Sequence, residues 1–236
     1  MVPLTHRRNG YALLSGNGLE IGALNEPAEI PEGAAVQYLD AIDETQAAAL
    51  YREIPGGKFA KVSFIGDLDH DGLVQFRDGA FDFVVMNHVL EHVANPVKAV
   101  REVFRICREG GIVAMAVPDK DYTFDRRREL TPWGHLWSDY MDEVKASGDD
   151  HYESFLRSAA PHVFDEPPEN LKIHIQLSRT RREHAHVWNS ESFEGFLRDC
   201  FLNLGIDAAL RYRSVASENG IEHFSVWQKR PAPGRR

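Results

Sequence analysis

The chain has 236 residues, 43% of them apolar, and a formal net charge of −9. That length suits one large domain or one domain with an insertion, and the acidity excludes non-specific nucleic-acid binding as its main job. No apolar run approaches the roughly 20 residues that span a bilayer, and residues 1–10 lead into no long apolar segment of the kind a secretory signal needs. The two cysteines, Cys107 and Cys200, read as buried thiols rather than a disulfide. A cytoplasmic protein is expected.

Residues 6–15 are expected to form a short helix, stopped at Gly16 and Gly18. Leu19-Glu20-Ile21 then reads as a strand, and Gly22 behind it lets the backbone approach a ligand closely. Residues 36–40 form a second strand ending in Asp40. An acid about 20 residues after a glycine turn is where dinucleotide-type folds reach a ribose diol, although two unrelated surface acids would give the same spacing. Residues 44–54 predict an Ala- and Leu-rich helix closed by Gly56-Gly57. A third strand over 62–65 runs into Gly66-Asp67-Leu68.

Residues 81–86, β-branched and aromatic, predict a buried strand of a parallel sheet. The chain then breaks into Asn87, His88, Glu91 and His92. Ligands of open α/β sheets bind beyond the carboxyl ends of strands, so Asn87 and His88 are the first candidate site residues. Asn95-Pro96 opens an amphipathic helix to residue 108, with Val97, Val100, Val103, Phe104 and Cys107 on one face. Gly110-Gly111 is its expected cap, and residues 112–117 form a fifth strand. Strands alternating with helices in this way predict βαβ units and a mostly parallel sheet.

That rhythm stops after Asp119. Residues 120–188 hold six of the 11 histidines, together with Trp133, Trp137, Trp188 and two arginine clusters, Arg126-Arg127-Arg128 and Arg179/Arg181/Arg182. This is the expected substrate cap, an insertion within one domain spanning 1–236, with helices over 133–146 and 151–159. The arginines suit an anionic group on a small substrate; a solvated surface suits them too. Regularity returns at Asn189-Ser190, an N-cap pair before a helix with Phe193, Phe196, Leu197, Cys200, Phe201 and Leu204 on one stripe. Two strands over 206–215 and 221–229 follow, joined at Asn219-Gly220, a hairpin signal.

Taken in order, Leu19-Glu-Ile-Gly22, Tyr38-Leu-Asp40, Gly66-Asp-Leu68, the run from Phe81 to His92, and Arg108-Glu-Gly-Gly-Ile112 resemble the class I S-adenosylmethionine-dependent methyltransferases, in a type 11-like form. The resemblance covers 17–118 well and 189–229 moderately. It implies an α/β, doubly wound, Rossmann-like seven-stranded sheet with an antiparallel last strand, plus a mostly helical insertion after the fifth. It implies S-adenosyl-L-methionine as cofactor. Glu20 and Gly22 match the motif beside the methionine part, Asp40 the ribose acid, Asp67 and Leu68 the adenine pair, and Asn87 and His88 the strand end beside the sulfonium. Gly22 is followed by Ala23-Leu24-Asn25, where the family's first motif usually carries further glycines.

The implied reaction moves a methyl group to a small polar acceptor. An O-methylation of a sugar, nucleotide-sugar or glycan is expected from the polar, aromatic and arginine-rich cap. A hydroxyl acceptor needs a base, and histidine is the commonest choice near neutral pH. His88, His92 and His135 are the catalytic candidates, each of which also reads as an ordinary structural imidazole. No metal, nucleic-acid or membrane partner is expected. Three alternatives stand beside this reading: a methyltransferase-fold binding protein without catalysis, a metal-assisted methyltransferase using cap residues such as His184 and His186, and a zinc-dependent hydrolase using His88-x-x-Glu91-His92.

Overall fold

The computed structural model describes residues 4–54 and 59–231. Seven strands form one sheet: β1 Asn17–Ile21, β2 Ala35–Asp40, β3 Phe64–Ile65, β4 Phe81–Asn87, β5 Cys107–Pro118, β6 Ala208–Ser214 and β7 Glu222–Lys229. Their order is β3-β2-β1-β4-β5-β7-β6. The first five run parallel, and β7 is antiparallel to both β5 and β6. The strand order reverses between β1 and β4, so a ligand crevice opens beyond their carboxyl ends.

The β4 run is apolar on both sides because both faces of the sheet are covered. Val84 and Met86 join one core with Val97, Val100 and Phe104 of α3 (Pro96–Ile106) and Phe193 of α7 (Ser190–Leu204). Phe83 and Val85, one pleat away, meet Tyr11, Leu14 and Phe224 on the opposite face. Capping fixes where these helices start. Asn95 accepts from Lys98 N–H with Pro96 in the first helical position, and Asn189 and Ser192 form a capping box. Gly205 closes α7 with φ +66°.

Several boundaries differ from expectation. The N-terminal helix is a 3₁₀ turn, Thr5–Arg7, running into the single-turn α1, Arg8–Tyr11. The second helix, α2 Glu44–Leu50, is shorter than expected, and Gly56-Gly57 lie outside the described residues. β3 has only two residues. The third helix ends at Ile106 and the chain enters β5 at once, so Gly110-Gly111 does not cap it. The pair instead sits in a bulge where pairing jumps from Phe81↔Cys107 to Phe83↔Ile112. A Cβ on Gly111 would stand 2.7 Å from the Asp82 carbonyl, which is why a glycine is needed there.

The insertion is helical: α4 Trp133–Met141, α5 Asp149–Ala159 and α6 Pro168–Thr180. α6 lacked a clear signal because its apolar residues do not make one stripe; Ile173 and Leu177 are exposed while Ile175 is buried. Between β6 and β7 the chain makes one helical turn, α8 Ala216–Asn219, with Gly220 as its left-handed cap, in place of a two-residue hairpin turn.

Candidate active site

β1, β2 and β4 deliver the first groups. Gly22 follows β1 with φ +70°, and a Cβ there would lie 2.5 Å from Val89 Cγ2. Asp40 ends β2 and faces a cleft of about 220 Å³ whose other walls include Ile42, Leu68 and Val89. Burial raises the Asp40 carboxyl's pKa, while the Ala41 and Ile42 N–H groups pull it down. An acid at the rim and an apolar slot behind it suit a nucleoside: a diol against the carboxylate, a flat base between the aliphatic walls.

A second cavity, about 570 Å³, adjoins the first through Gly22, Leu24, His88 and His92, which line both. Its other walls include His6, Arg7, Asn25, Asn87 and Glu222 beside the apolar Leu4 and Ile221. Asn87 donates through Nδ2 to Tyr11 Oη at 2.9 Å, while its Oδ1 is buried without a partner. That orphaned acceptor is available to an ammonium or hydroxyl donor. Glu20 lines this cavity rather than the cleft. Both its oxygens accept from Ala28 N–H, at 2.9 and 3.1 Å, so it holds the loop after β1 in place. Burial pushes its pKa up to about 7 against the pull of that N–H and of Arg7.

Glu222, fully buried at the start of β7, organises the second cavity. It accepts from Arg7 Nε at 2.7 Å, a second Arg7 nitrogen, and the ring nitrogens of His6 and His88 at 2.6 Å each. Burial would raise its carboxyl, but these hydrogen bonds outweigh it and hold the group well below the usual carboxylate range. For His88 burial opposes charge, yet Glu222 and the nearby Glu91 carboxylate leave its pKa raised above 6.5. His88 also takes φ +52°, a left-handed conformation uncommon outside glycine.

His92 faces both cavities through a different set of contacts. Burial, then the neighbouring His184, pushes its pKa down to about 3, and its Nδ1 is bonded to the Arg182 carbonyl. Glu91 lies under both histidines, 3.6 Å from His88 Nδ1 and 3.8 Å from His92 Nε2, with neither oxygen hydrogen-bonded. Residues 90–92 make one 3₁₀ turn, and His88 turns away to Glu222. The two histidines therefore do not share a helix face, and the zinc-hydrolase arrangement of His88-x-x-Glu91-His92 does not assemble.

His135 lines neither cavity. It stands against His151 and His186, with ring centroids 5.0 and 5.9 Å away. Burial keeps His186 neutral, its pKa pushed down to about 3 by desolvation and then by His151 and His135, against the pull of the Ala94 carbonyl. Asp67 is also displaced from its expected role: both its oxygens are taken by the Arg182 guanidinium. Three other cap arginines are paired with carboxylates, and Arg181 and Arg182 also line the cleft. Arg128 is buried on Asp125 at 2.8 Å, Arg179 pairs with Asp149, and Arg181 pairs with Glu53 and Glu183.

Two groups that shape the site, Arg7 and Glu222, had no sequence signal, and Arg182 was read only as one of an arginine cluster. Arg182, with φ +51°, brings the end of the insertion over the cleft. Beside it, Tyr51 Oη donates to the Arg181 carbonyl at 3.2 Å and Arg181 Nη1 to the Leu50 carbonyl at 3.1 Å.

Residues 15–115 match the family model described as a methyltransferase domain. The chain is 29% identical over 167 residues to an uncharacterized 37.1 kDa protein in transposon TN4556 of Streptomyces fradiae, a match covering 70% of this chain and 39% of that protein. It is 39% identical over 46 residues to uncharacterized protein MJ1123 of Methanocaldococcus jannaschii, covering 20% and 22%. The chain thus spans less than half the length of these curated relatives. Among solved structures, a Rhodobacter sphaeroides protein named for zinc-dependent alcohol dehydrogenases aligns with TM-score 0.53 at 14% identity, covering 92% of this chain and 85% of that one. That likeness shows the fold alone. A Methanosarcina mazei SAM-dependent methyltransferase covers 98% of both chains at 19% identity and TM-score 0.44.

Proposed function

The chain carries a class I S-adenosylmethionine-dependent methyltransferase domain, with S-adenosylmethionine as its cofactor, and we propose that it moves the cofactor's methyl group to a hydroxyl of a small polar acceptor, a sugar or glycan. The observation that carries this is the junction of the two cavities at Gly22, His88 and His92. The cofactor, when bound, supplies a methyl already activated on a sulfonium, so the protein's task is alignment and proton removal. Asp40 receives the ribose hydroxyls, Ile42, Leu68 and Val89 enclose the base, and the free Asn87 Oδ1 accepts from the methionine ammonium. Gly22 lets the backbone approach without a Cβ in the way.

The acceptor lies in the second cavity. Its hydroxyl proton passes to His88 Nδ1, while Nε2–H donates to Glu222, which fixes the tautomer and favours the imidazolium that forms. One O–H bond is lost and one N–H bond forms, while the new C–O bond would form as the methyl's C–S bond breaks, with S-adenosylhomocysteine leaving as the neutral thioether. His92 shapes the wall between the cavities, and His135 has no part in the transfer. His6, Asn25 and Asn87 on its wall offer hydrogen bonds that a polyhydroxylated acceptor can meet. Arg7, the guanidinium that lines this cavity, is already paired with Glu222, which favours a neutral sugar over a nucleotide-sugar diphosphate.

The test is transfer of labelled methyl to a panel of sugars, glycans, peptides and lipids. Label on a hydroxyl of a sugar or glycan is the expected result; label only on a peptide or lipid would refute the acceptor class.

A further inference from the structure

We propose that His135, His151 and His186, with Asp139 beside them, form a site for a divalent transition metal, best suited to zinc, that staples the insertion together. α4 carries His135 and Asp139, α5 carries His151, and the extended segment before α7 carries His186. One nitrogen from each histidine lies within 4.8 Å of the others, and the His151 and His186 rings are 5.1 Å apart. This reading is independent of the methyl-transfer site, because none of the four residues lines either cavity.

Three ring nitrogens here lack hydrogen-bond partners. His186 is 1% exposed, and neither ring nitrogen has one in hydrogen-bond geometry. His135 Nε2 is also buried and unbonded, though Asp139 Oδ2 lies 3.2 Å from it. Leaving such atoms unsatisfied is costly, and one metal ion would take one His186 nitrogen and His135 Nε2 together. His151 is prepared as a ligand: Nδ1 bonds the Ala185 carbonyl at 2.9 Å, leaving the Nε2 lone pair free, the outer-sphere arrangement common to metal-binding histidines.

Neutral imidazoles with one carboxylate are a donor set for zinc. Both thiols are elsewhere, buried in the main core. Bonds of about 2.0–2.1 Å require the nitrogens to close in, which rotation of the half-buried His135 and His151 rings toward the buried His186 supplies. A staple has something to hold: the insertion's own buried cluster is only Tyr152, Phe155, Leu156 and Ile175. The sequence did not single out this trio, because histidines at 135, 151 and 186 have no ligand spacing along the chain; folding brings them together.

The experiment strips the full-length chain with a chelator, then titrates it with zinc against a chromophoric competitor and separately with Co(II), following melting temperature in parallel. Wild type should bind one zinc per chain, give the ligand-field bands of a four-coordinate nitrogen/oxygen site with cobalt, and melt higher with zinc. Because His186→Gln risks unfolding the core, His135→Gln and His151→Gln at half-buried positions are the variants. Each should weaken zinc by more than about 100-fold, beyond the 10–100-fold of an outer-sphere loss. A wild type that unfolds on stripping and refolds with zinc also supports the site. Folded, stripped wild type that takes up no zinc, or undiminished binding in both variants, overturns it.

Discussion

His88 Nε2 lies 2.6 Å from Glu222 Oε2, joining the end of β4 to the start of β7 across 134 residues of chain. Against its burial, the bonds from Arg7, His6 and His88 depress the Glu222 carboxyl pKa, and against its own burial His88 is raised by its bond to Glu222. The depressed Glu222 contributes stability that is present above its unfolded value of 4.5 and is lost as pH falls through the lower folded value. The raised His88 contributes stability that is fully present below 6.5 and is lost as pH rises through its folded value. The pair stabilises most between those two limits.

Catalysis has the opposite demand, since a base must be neutral. The kcat/KM profile should rise with pH through an apparent pKa above 6.5, and Glu222→Gln should move that rise to lower pH. His88→Asn should cost about 10²–10⁴ in kcat, the usual worth of a general base. A pH–rate profile unchanged in Glu222→Gln would remove His88 from the role.

Gly22→Ala should abolish cofactor binding with a modest loss of stability. The left-handed φ of +70° costs an alanine about 1–2 kcal/mol, and its Cβ, 2.5 Å from Val89 Cγ2, forces that side chain toward the cleft. Thermal melting and calorimetry on the same sample separate the two effects. Wild-type affinity for S-adenosylhomocysteine would show that the cofactor does not approach there.

Arg182→Ala should loosen the insertion's hold on the cleft without touching the sheet. It removes the paired bonds to Asp67, and both side chains are part-exposed, so the stability loss should stay within about 1 kcal/mol. The sensitive readout is dissociation of S-adenosylhomocysteine by stopped flow, which should speed up several-fold. An unchanged rate would mean that the arginine is a surface tie only.

What was legible in the sequence is what local pattern controls. The 81–86 run, buried on both faces, needed only its β-branched and aromatic residues to be found. Gly22 and Asp40 were legible because turn glycine and strand-end acid keep a fixed spacing. Arg7 and Glu222 were not: they are 215 positions apart and carry no periodicity, so only the antiparallel return of β7 beside β5 brings them to the β4 terminus. Asp67 was found at its position, yet its partner, Arg182, stands 115 residues on and redirects it. Gly110-Gly111 misled because a glycine pair after a helix caps it far more often than it bulges a strand.

Titration of S-adenosylhomocysteine in a calorimeter, into wild type, Asp40→Ala and His88→Asn side by side, tests the central claim most directly. The account predicts that wild type binds, that Asp40→Ala loses about 1–3 kcal/mol as a charged hydrogen bond is removed, and that His88→Asn binds nearly as wild type because its work is on the acceptor. A wild type that does not bind, or an Asp40→Ala that binds equally well, would contradict it.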